Sequence, residues 1–164
     1  MLCFEKMEET DIGAVSEIYN YYVENTTATF HMHKVEEEEM KSIAMPSSEK
    51  YASFVIRKEG EKILGYVLFA PFGVREAYRY TASVVLYLSP EWTGKGIGAK
   101  SLDFIEKEAR KRNIRTLVAA ICDENKMSCR LFEKCGYTVS GTLKEVGNKF
   151  DRWFGLVYMQ KILR

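Results

Sequence analysis

Apolar residues recur along this chain at two different spacings. Ile12, Val15, Ile18, Tyr19, Tyr22 and Val23 fall at helical spacing, which predicts a helix with one buried face. Thr10 or Asp11 stands where a cap belongs. Before it, Leu2 to Met7 alternates and predicts a short strand. The stretch ENTTATFHMHK breaks the pattern, because threonine and asparagine favour turns. A second helix is expected from about Val35 to Ala44, ending before Pro46. YASFVIRKEGEKILGYVLFAPF reads as two strands joined by the glycine-bearing link Glu59-Gly60-Glu61-Lys62, a hairpin. YTASVVLYLSP, rich in β-branched and aromatic residues, predicts a buried strand. Gly98, Leu102, Ile105 and Ala109 then line one face of a helix running to about Arg112. RTLVAAICD is a further buried strand. Asn125 to Lys134 reads as a short helix stopped by Gly136, and YTVSGTL and WFGLVYMQKIL as two closing strands.

The predicted order is β-α-α-β-β-β-α-β-α-β-β. It implies an α/β fold of the mixed, α+β-like kind, with a central mixed sheet and only one βαβ crossover. A pure doubly wound sheet would alternate strand and helix throughout. No repeat or linker interrupts the pattern, so residues 1–164 are expected to form a single domain. A net charge of +1 lacks the basic excess of a nucleic-acid binder, and the run Glu36 to Glu39 reads as a solvated helix face. No stretch reaches the roughly 18 apolar residues of a membrane span, and MLCFEKMEE has no signal core. Cys3, Cys122, Cys129 and Cys135 fit neither a zinc pattern nor a C-x-x-C motif, which suits idle thiols in a reducing cytoplasm. His31 and His33 form a bare H-x-H without an acidic or cysteine partner at ligand spacing. They read as loop histidines, and no metal is expected.

The crossover carries the most chemistry. Between its strand and helix lies WTGKGIGAK, Trp92 to Lys100. A Walker A loop fails here, since the residue five before Gly94 is Ser89 and Lys95 is followed by Gly96. Gly94, Gly96 and Ala99 fit a dinucleotide fingerprint, with Asp123 after the next strand. Antiparallel-looking strands precede the motif, however, and only one further helix follows it. A third reading is a cradle for the pyrophosphate of coenzyme A, in which glycines let backbone N–H groups converge at a positive helix terminus. The plain alternative is a glycine-rich turn.

At this point the sequence resembles the GNAT acetyltransferases, and within them the phosphinothricin N-acetyltransferase-like branch. The family loop [QR]-x-x-G-x-[GA] falls on Thr93-Gly94-Lys95-Gly96-Ile97-Gly98. IYNYYVENTTATF resembles the branch's first helix and substrate loop, AYRYTASVVLYLSPE its central strand, NKMSCRLFEKCGYTVSGTL its cofactor helix and next strand, and VGNKFDRWFGLVYMQ its C-terminal signature. The resemblance implies the GNAT acyl-CoA N-acyltransferase fold, with helices on both faces of a twisted sheet. It implies acetyl-CoA as co-substrate, its pantetheine arm lying along Leu86, Tyr87 and Leu88 like an added strand. The amides of Gly94, Lys95, Gly96, Ile97, Gly98 and Ala99 would hold the pyrophosphate. Asn125 would reach the arm, or serve only as a helix-terminal residue, and Lys134 would reach the phosphate end. The acceptor pocket would use Phe30, Arg75, Tyr78 and Ser83 to Val85, including Val84. Arg75 suits a carboxylate-bearing acceptor, with Arg79 as alternative, or is an ordinary loop charge. A small amine, an amino acid or its analogue, is the implied acceptor, and a homodimer the implied assembly.

The sequence departs from that pattern at the proton-handling positions. Ser83 stands where the branch carries glutamate as presumed base, and a hydroxyl cannot serve as a general base near neutral pH. It could orient a water. Phe132 stands where many relatives carry a tyrosine that protonates the leaving thiolate. Thr93 opens the loop in place of Gln or Arg, and Gly155 occupies a position that is often aspartate. A non-catalytic acetyl-CoA-binding module, or an enzyme for a polyamine, aminoglycoside or protein N-terminus, is the alternative reading.

Overall fold

The computed structural model describes residues 1–60 and 62–164. The strands are β1 (Leu2–Lys6), β2 (Ala52–Lys58), β3 (Gly65–Pro71), β4 (Thr81–Leu88), β5 (Thr116–Cys122), β6 (Thr138–Lys149) and β7 (Arg152–Ile162). The helices are α1 (Ile12–Asn25), α2 (Glu37–Ala44), α3 (Ile97–Lys111) and α4 (Lys126–Lys134). Their order along the chain is the one the hydrophobic pattern predicts. Of the predicted β2–β3 link, Glu61 lies outside the described residues, but the strands pair antiparallel as a hairpin requires.

The sheet order is β1-β2-β3-β4-β5-β7-β6. Neighbours pair antiparallel except β4 and β5, which run parallel. Alternation along β2 and β3 divides the apolar residues between two cores. Phe54, Val67 and Phe69 pack with Leu102, Ile105 and Ala109 of α3 and Phe132 of α4. Val55, Tyr66 and Leu68 pack with Ile12, Val15, Ile18 and Tyr19 of α1 and with Met40 and Ala44 of α2. Each sheet face is therefore covered by one pair of helices, because side chains alternate sides with a period of two.

Two elements differ from expectation. The second helix begins at Glu37, and Val35, expected inside it, is buried just before it. The strand expected over YTVSGTL runs on to Lys149, with register shifts between Val139 and Gly141 and between Leu143 and Gly147. These irregularities interrupt the alternation that would have betrayed the extra residues. His31 also has neighbours its spacing did not reveal: its Nδ1 meets the Tyr19 hydroxyl at 2.6 Å, and its Nε2 lies 3.6 Å from Glu39.

Candidate functional site

The sheet opens at Ser83. β4 pairs with β5 only over Thr81–Thr116, Ala82–Leu117 and Ser83–Val118. Beyond that point β4 keeps β3 on one side, from Val84–Phe69 to Leu88–Gly65, while β5 continues beside β7. The two parallel strands thus diverge into a cleft with one unpaired backbone edge. Bonded pairs alternate along an antiparallel ladder. The Ser89 N–H donates to the Leu64 carbonyl at 2.7 Å, so Tyr87, Val85 and Ser83 turn their backbone groups toward β3. Val84, Leu86 and Leu88 turn theirs toward the cleft. Of the three strand residues expected to line a ligand arm, Leu86 and Leu88 present backbone there and Tyr87 does not. The Leu88 carbonyl is already met by the Tyr22 hydroxyl at 2.5 Å. Burial, with smaller contributions from Tyr21 and Glu91, pushes that phenol up to about 12 and keeps it a proton donor.

Val84 has a second surprise. Its side chain is 5% exposed and belongs to the core under α3, so only its backbone can line the cleft. Ser83 and Val85 point to the opposite face, the one covered by α1 and α2.

At the end of β4 the chain turns through Pro90–Trp92 into the glycine loop. Gly94 and Gly96 have φ of 72° and 75°, left-handed values that glycine adopts without steric cost. Gly96 is the residue that opens α3. A Cβ on either would meet nothing within 4 Å, so backbone conformation and not crowding calls for glycine. Lys95 lies over the Trp92 ring at 4.4 Å, and the Thr93 hydroxyl donates to the Pro90 carbonyl, so Thr93 serves its own turn. Ile97 and Gly98 are buried while Ala99 is exposed. Gly98 touches α4: a Cβ there would lie 2.7 Å from Leu131 Cδ2.

Asn125 caps α4, its Oδ1 accepting from the Ser128 N–H at 3.1 Å, which leaves its amide N–H₂ free of that task. Lys134 is exposed in the last turn of α4. Phe132 is buried edge-on to Tyr137, with centroids 4.9 Å apart.

The opposite side of the cleft is built from scattered segments. Thr27 to Phe30 crosses it as a strap. The Tyr87 hydroxyl of β4 donates to the Ala28 carbonyl at 3.1 Å, and burial holds that phenol far above its ordinary pKa. From the other arm, Glu124 accepts from the Thr27 hydroxyl at 2.9 Å and from Arg152 at 2.8 Å. Phe30 stacks on Phe154 at 5.6 Å, and Lys149 reaches Thr29. Of the residues that gather here the sequence points to Phe30 alone; Thr27, Glu124 and Lys149 carry no local signal, since Thr27 meets Glu124 and Thr29 meets Lys149 across 97 and 120 positions.

Arg75 and Tyr78 lie on the exposed β3–β4 loop. The Tyr78 N–H donates to the Arg75 carbonyl at 3.0 Å, and Tyr78 packs edge-on against Phe72. Among the described residues no hydrogen bond or ring contact joins either to Phe30. Arg79 stacks on Tyr80 at 4.7 Å.

Gly155 receives an explanation. A Cβ there would run into the Leu143 carbonyl oxygen and lie 2.7 Å from Asp123 Oδ2. Asp123, whose N–H donates to the Gly155 carbonyl, places its carboxylate where an aspartate at 155 would begin.

A cleft between diverging parallel strands, floored by a glycine loop at a helix N-terminus, suits an extended ligand that ends in phosphate groups. Residues 15–137 match the Acetyltransferase (GNAT) family, and the chain belongs to that family as an acetyl-transferring enzyme. It is 31% identical over 155 residues to a protein of Salmonella typhimurium named L-methionine sulfoximine/L-methionine sulfone acetyltransferase, covering 93% of this chain and 90% of that one. It is 30% identical over 158 residues to a phosphinothricin N-acetyltransferase of Alcaligenes faecalis, covering 96% and 80%. A GNAT superfamily phosphinothricin acetyltransferase from Sinorhizobium meliloti, solved with AcCoA, superposes with a TM-score of 0.93 at 29% identity over 99% of this chain and 88% of that one.

Proposed function

We propose that the protein transfers acetyl from acetyl-CoA to the amine of an amino acid or amino-acid analogue of the methionine sulfoximine or phosphinothricin kind. The observation that carries this reading is the β4 edge beyond Ser83, which has no strand partner over Val84 to Leu86 and leads into the left-handed glycines and the α3 N-terminus. Acetyl-CoA, when bound, supplies an acetyl thioester. The backbone of Val84 and Leu86 would take its amide-bearing arm as an added strand. The amides of Gly94 to Ala99, at the positive end of α3, would take the pyrophosphate. The free amide N–H₂ of Asn125 suits the arm, and exposed Lys134 the phosphate end.

The acceptor amine would enter from the α1 side, where Ser83, Val85 and the Thr27–Phe30 strap face. Arg75 and Tyr78, on the loop leaving β3 next to Ser83's partner Ala70, would receive its carboxylate. Ser83 sits at the last residue pair before the strands part, where it can hold a water but cannot itself remove a proton at neutral pH. An α-amine, with a pKa near 7.7–8.0, is already partly neutral there, which makes α-amino acids suitable acceptors.

The whole chain would act as one domain. It would work in the cytoplasm, as its four free cysteines suit, and as a homodimer. The support for a dimer is β6, an edge strand exposed almost throughout, which presents Val139, Leu143 and Val146 beside a Trp153 that is 63% exposed.

The test is release of free CoA with a panel of amines. Turnover is expected with L-methionine sulfoximine, L-methionine sulfone and phosphinothricin. Tight acetyl-CoA binding without turnover on any amine would overturn the catalytic reading.

A further inference from the structure

Lys149 ends β6 one residue before a tight turn in which Phe150 and Asp151 both have positive φ, 54° and 57°. Left-handed backbone at a phenylalanine is costly, and the turn aims Lys149 inward. Its side chain is 2% exposed, unusual for a residue that normally keeps its charge in water. Nζ donates to the Thr29 carbonyl at 3.1 Å and to Thr29 Oγ1 at 3.3 Å, and lies 5.2 Å from the centre of the Phe150 ring. Among the described residues no carboxylate forms an ion pair with it. Burial lowers its pKa, as expected for an ammonium taken from water without a counter-charge.

A buried, unpaired charge is an expensive way to fill space, and a methionine would fill it at lower cost. What the ammonium gains is a grip on Thr29, itself 1% exposed, at the middle of the strap. Tyr87 holds the strap from the β4 arm, and Glu124 and Phe154 hold it from the other. Lys149 supplies a charge-assisted bond at the centre of the span, and such bonds are the stronger kind.

We propose that Lys149 is a positioning residue that fixes the Thr27–Phe30 strap across the cleft, and so sets the affinity for the amine acceptor while leaving the acetyl donor alone. This rests on the acceptor reading given above. The strap is where Phe30 is expected to meet the acceptor, whereas the donor's expected contacts, on β4, the glycine loop and α4, do not include Lys149.

The experiment compares Lys149→Met, Thr29→Val and Thr29→Ser with the parent in full steady-state kinetics, together with amide hydrogen exchange over Thr27 to His31. Lys149→Met should raise KM for the acceptor about tenfold, the worth of one buried bond to a charged group. KM for acetyl-CoA should stay within about twofold of the parent. Thr29→Val, which keeps the carbonyl partner, should show a smaller rise in the same direction, and Thr29→Ser, which keeps the hydroxyl as well, the smallest of the three. Exchange over the strap should quicken in Lys149→Met. Equal rises in both KM values, or an unchanged acceptor KM with unchanged exchange, would overturn the proposal. If Lys149→Met does not fold, Thr29→Val decides by the same split in KM. Should the parent turn over no amine at all, the proposed activity falls. The exchange measurement then judges the strap alone, and unaltered protection in Lys149→Met would sink it.

Discussion

On the proposed reading, the donor side of the cleft would come from one continuous stretch, Val84 to Ala99, with Asn125 at the head of the next helix. The acceptor side would be assembled from the Thr27–Phe30 strap, the loop carrying Arg75 and Tyr78, Ser83, the turn at Asp123 and Glu124, and the β6–β7 hairpin. A donor site made of backbone groups tolerates side-chain change as long as chain geometry survives. An acceptor site made of side chains from five segments can be retuned at any of them. On that reading the same donor chemistry can serve many acceptors, and Ser83, where the family resemblance implies a glutamate, falls on the side open to retuning.

The largest effect expected on that comparison is at Gly96. Gly96→Asp would force a left-handed backbone on an ordinary residue and set a negative charge at the α3 N-terminus. Acetyl-CoA affinity by calorimetry should fall at least about a hundredfold, by roughly 3 kcal/mol. Affinity equal to the parent would show that the donor is not held here. Next comes Ser83. Installing glutamate should raise kcat at neutral pH by ~10²-fold if the position can host a general base. The parent's kcat/KM should climb with pH through the acceptor's own amine pKa, near 7.7–8.0, while Ser83→Glu should level off earlier. A parent profile flat above pH 6 would mean another residue already accepts the proton. A smaller change, about tenfold in KM, is expected for Arg75→Ala with amino-acid acceptors, as a charge-assisted bond implies. The corresponding amides should lose less, and equal losses would remove Arg75 from carboxylate binding. The smallest effect separates two roles of Asn125. Asn125→Asp keeps the cap acceptor and should keep Tm, yet weaken acetyl-CoA binding by loss of the amide donor. Asn125→Ala should cost about 1 kcal/mol of stability besides. If both variants bind acetyl-CoA like the parent, Asn125 is a cap and nothing more.

The same contrast explains what could be read in advance. The order of all eleven strands and helices was legible because the apolar spacing switches cleanly between two periods. The glycine loop was legible because three glycines within five residues announce a special backbone. The parting of β4 and β5 at Ser83 was not, since nothing local to YTASVVLYL says which strand ends its pairing first. The register that turns Tyr87 toward β3 and buries the Val84 side chain under α3 depends likewise on partners far along the chain. The strap's anchors escaped for the same reason. Thr27 meets Glu124 and Thr29 meets Lys149 across separations of 97 and 120 residues, and a lysine in a polar-looking strand gives no hint that it is buried. The extension of β6 was hidden by its own bulges.

Gly155 constrains how this sequence could have diverged. The backbone of β6 and the carboxylate of Asp123 occupy the space an aspartate at 155 would need, so that substitution cannot be accepted alone. Overpacking of this kind costs about 1–3 kcal/mol before the repulsion of two carboxylates is added. An aspartate at 155 would need the β6 backbone at Leu143 to shift and the Asp123 carboxylate to move aside. Position 155 is therefore coupled to two neighbours, and a change there draws both of them with it.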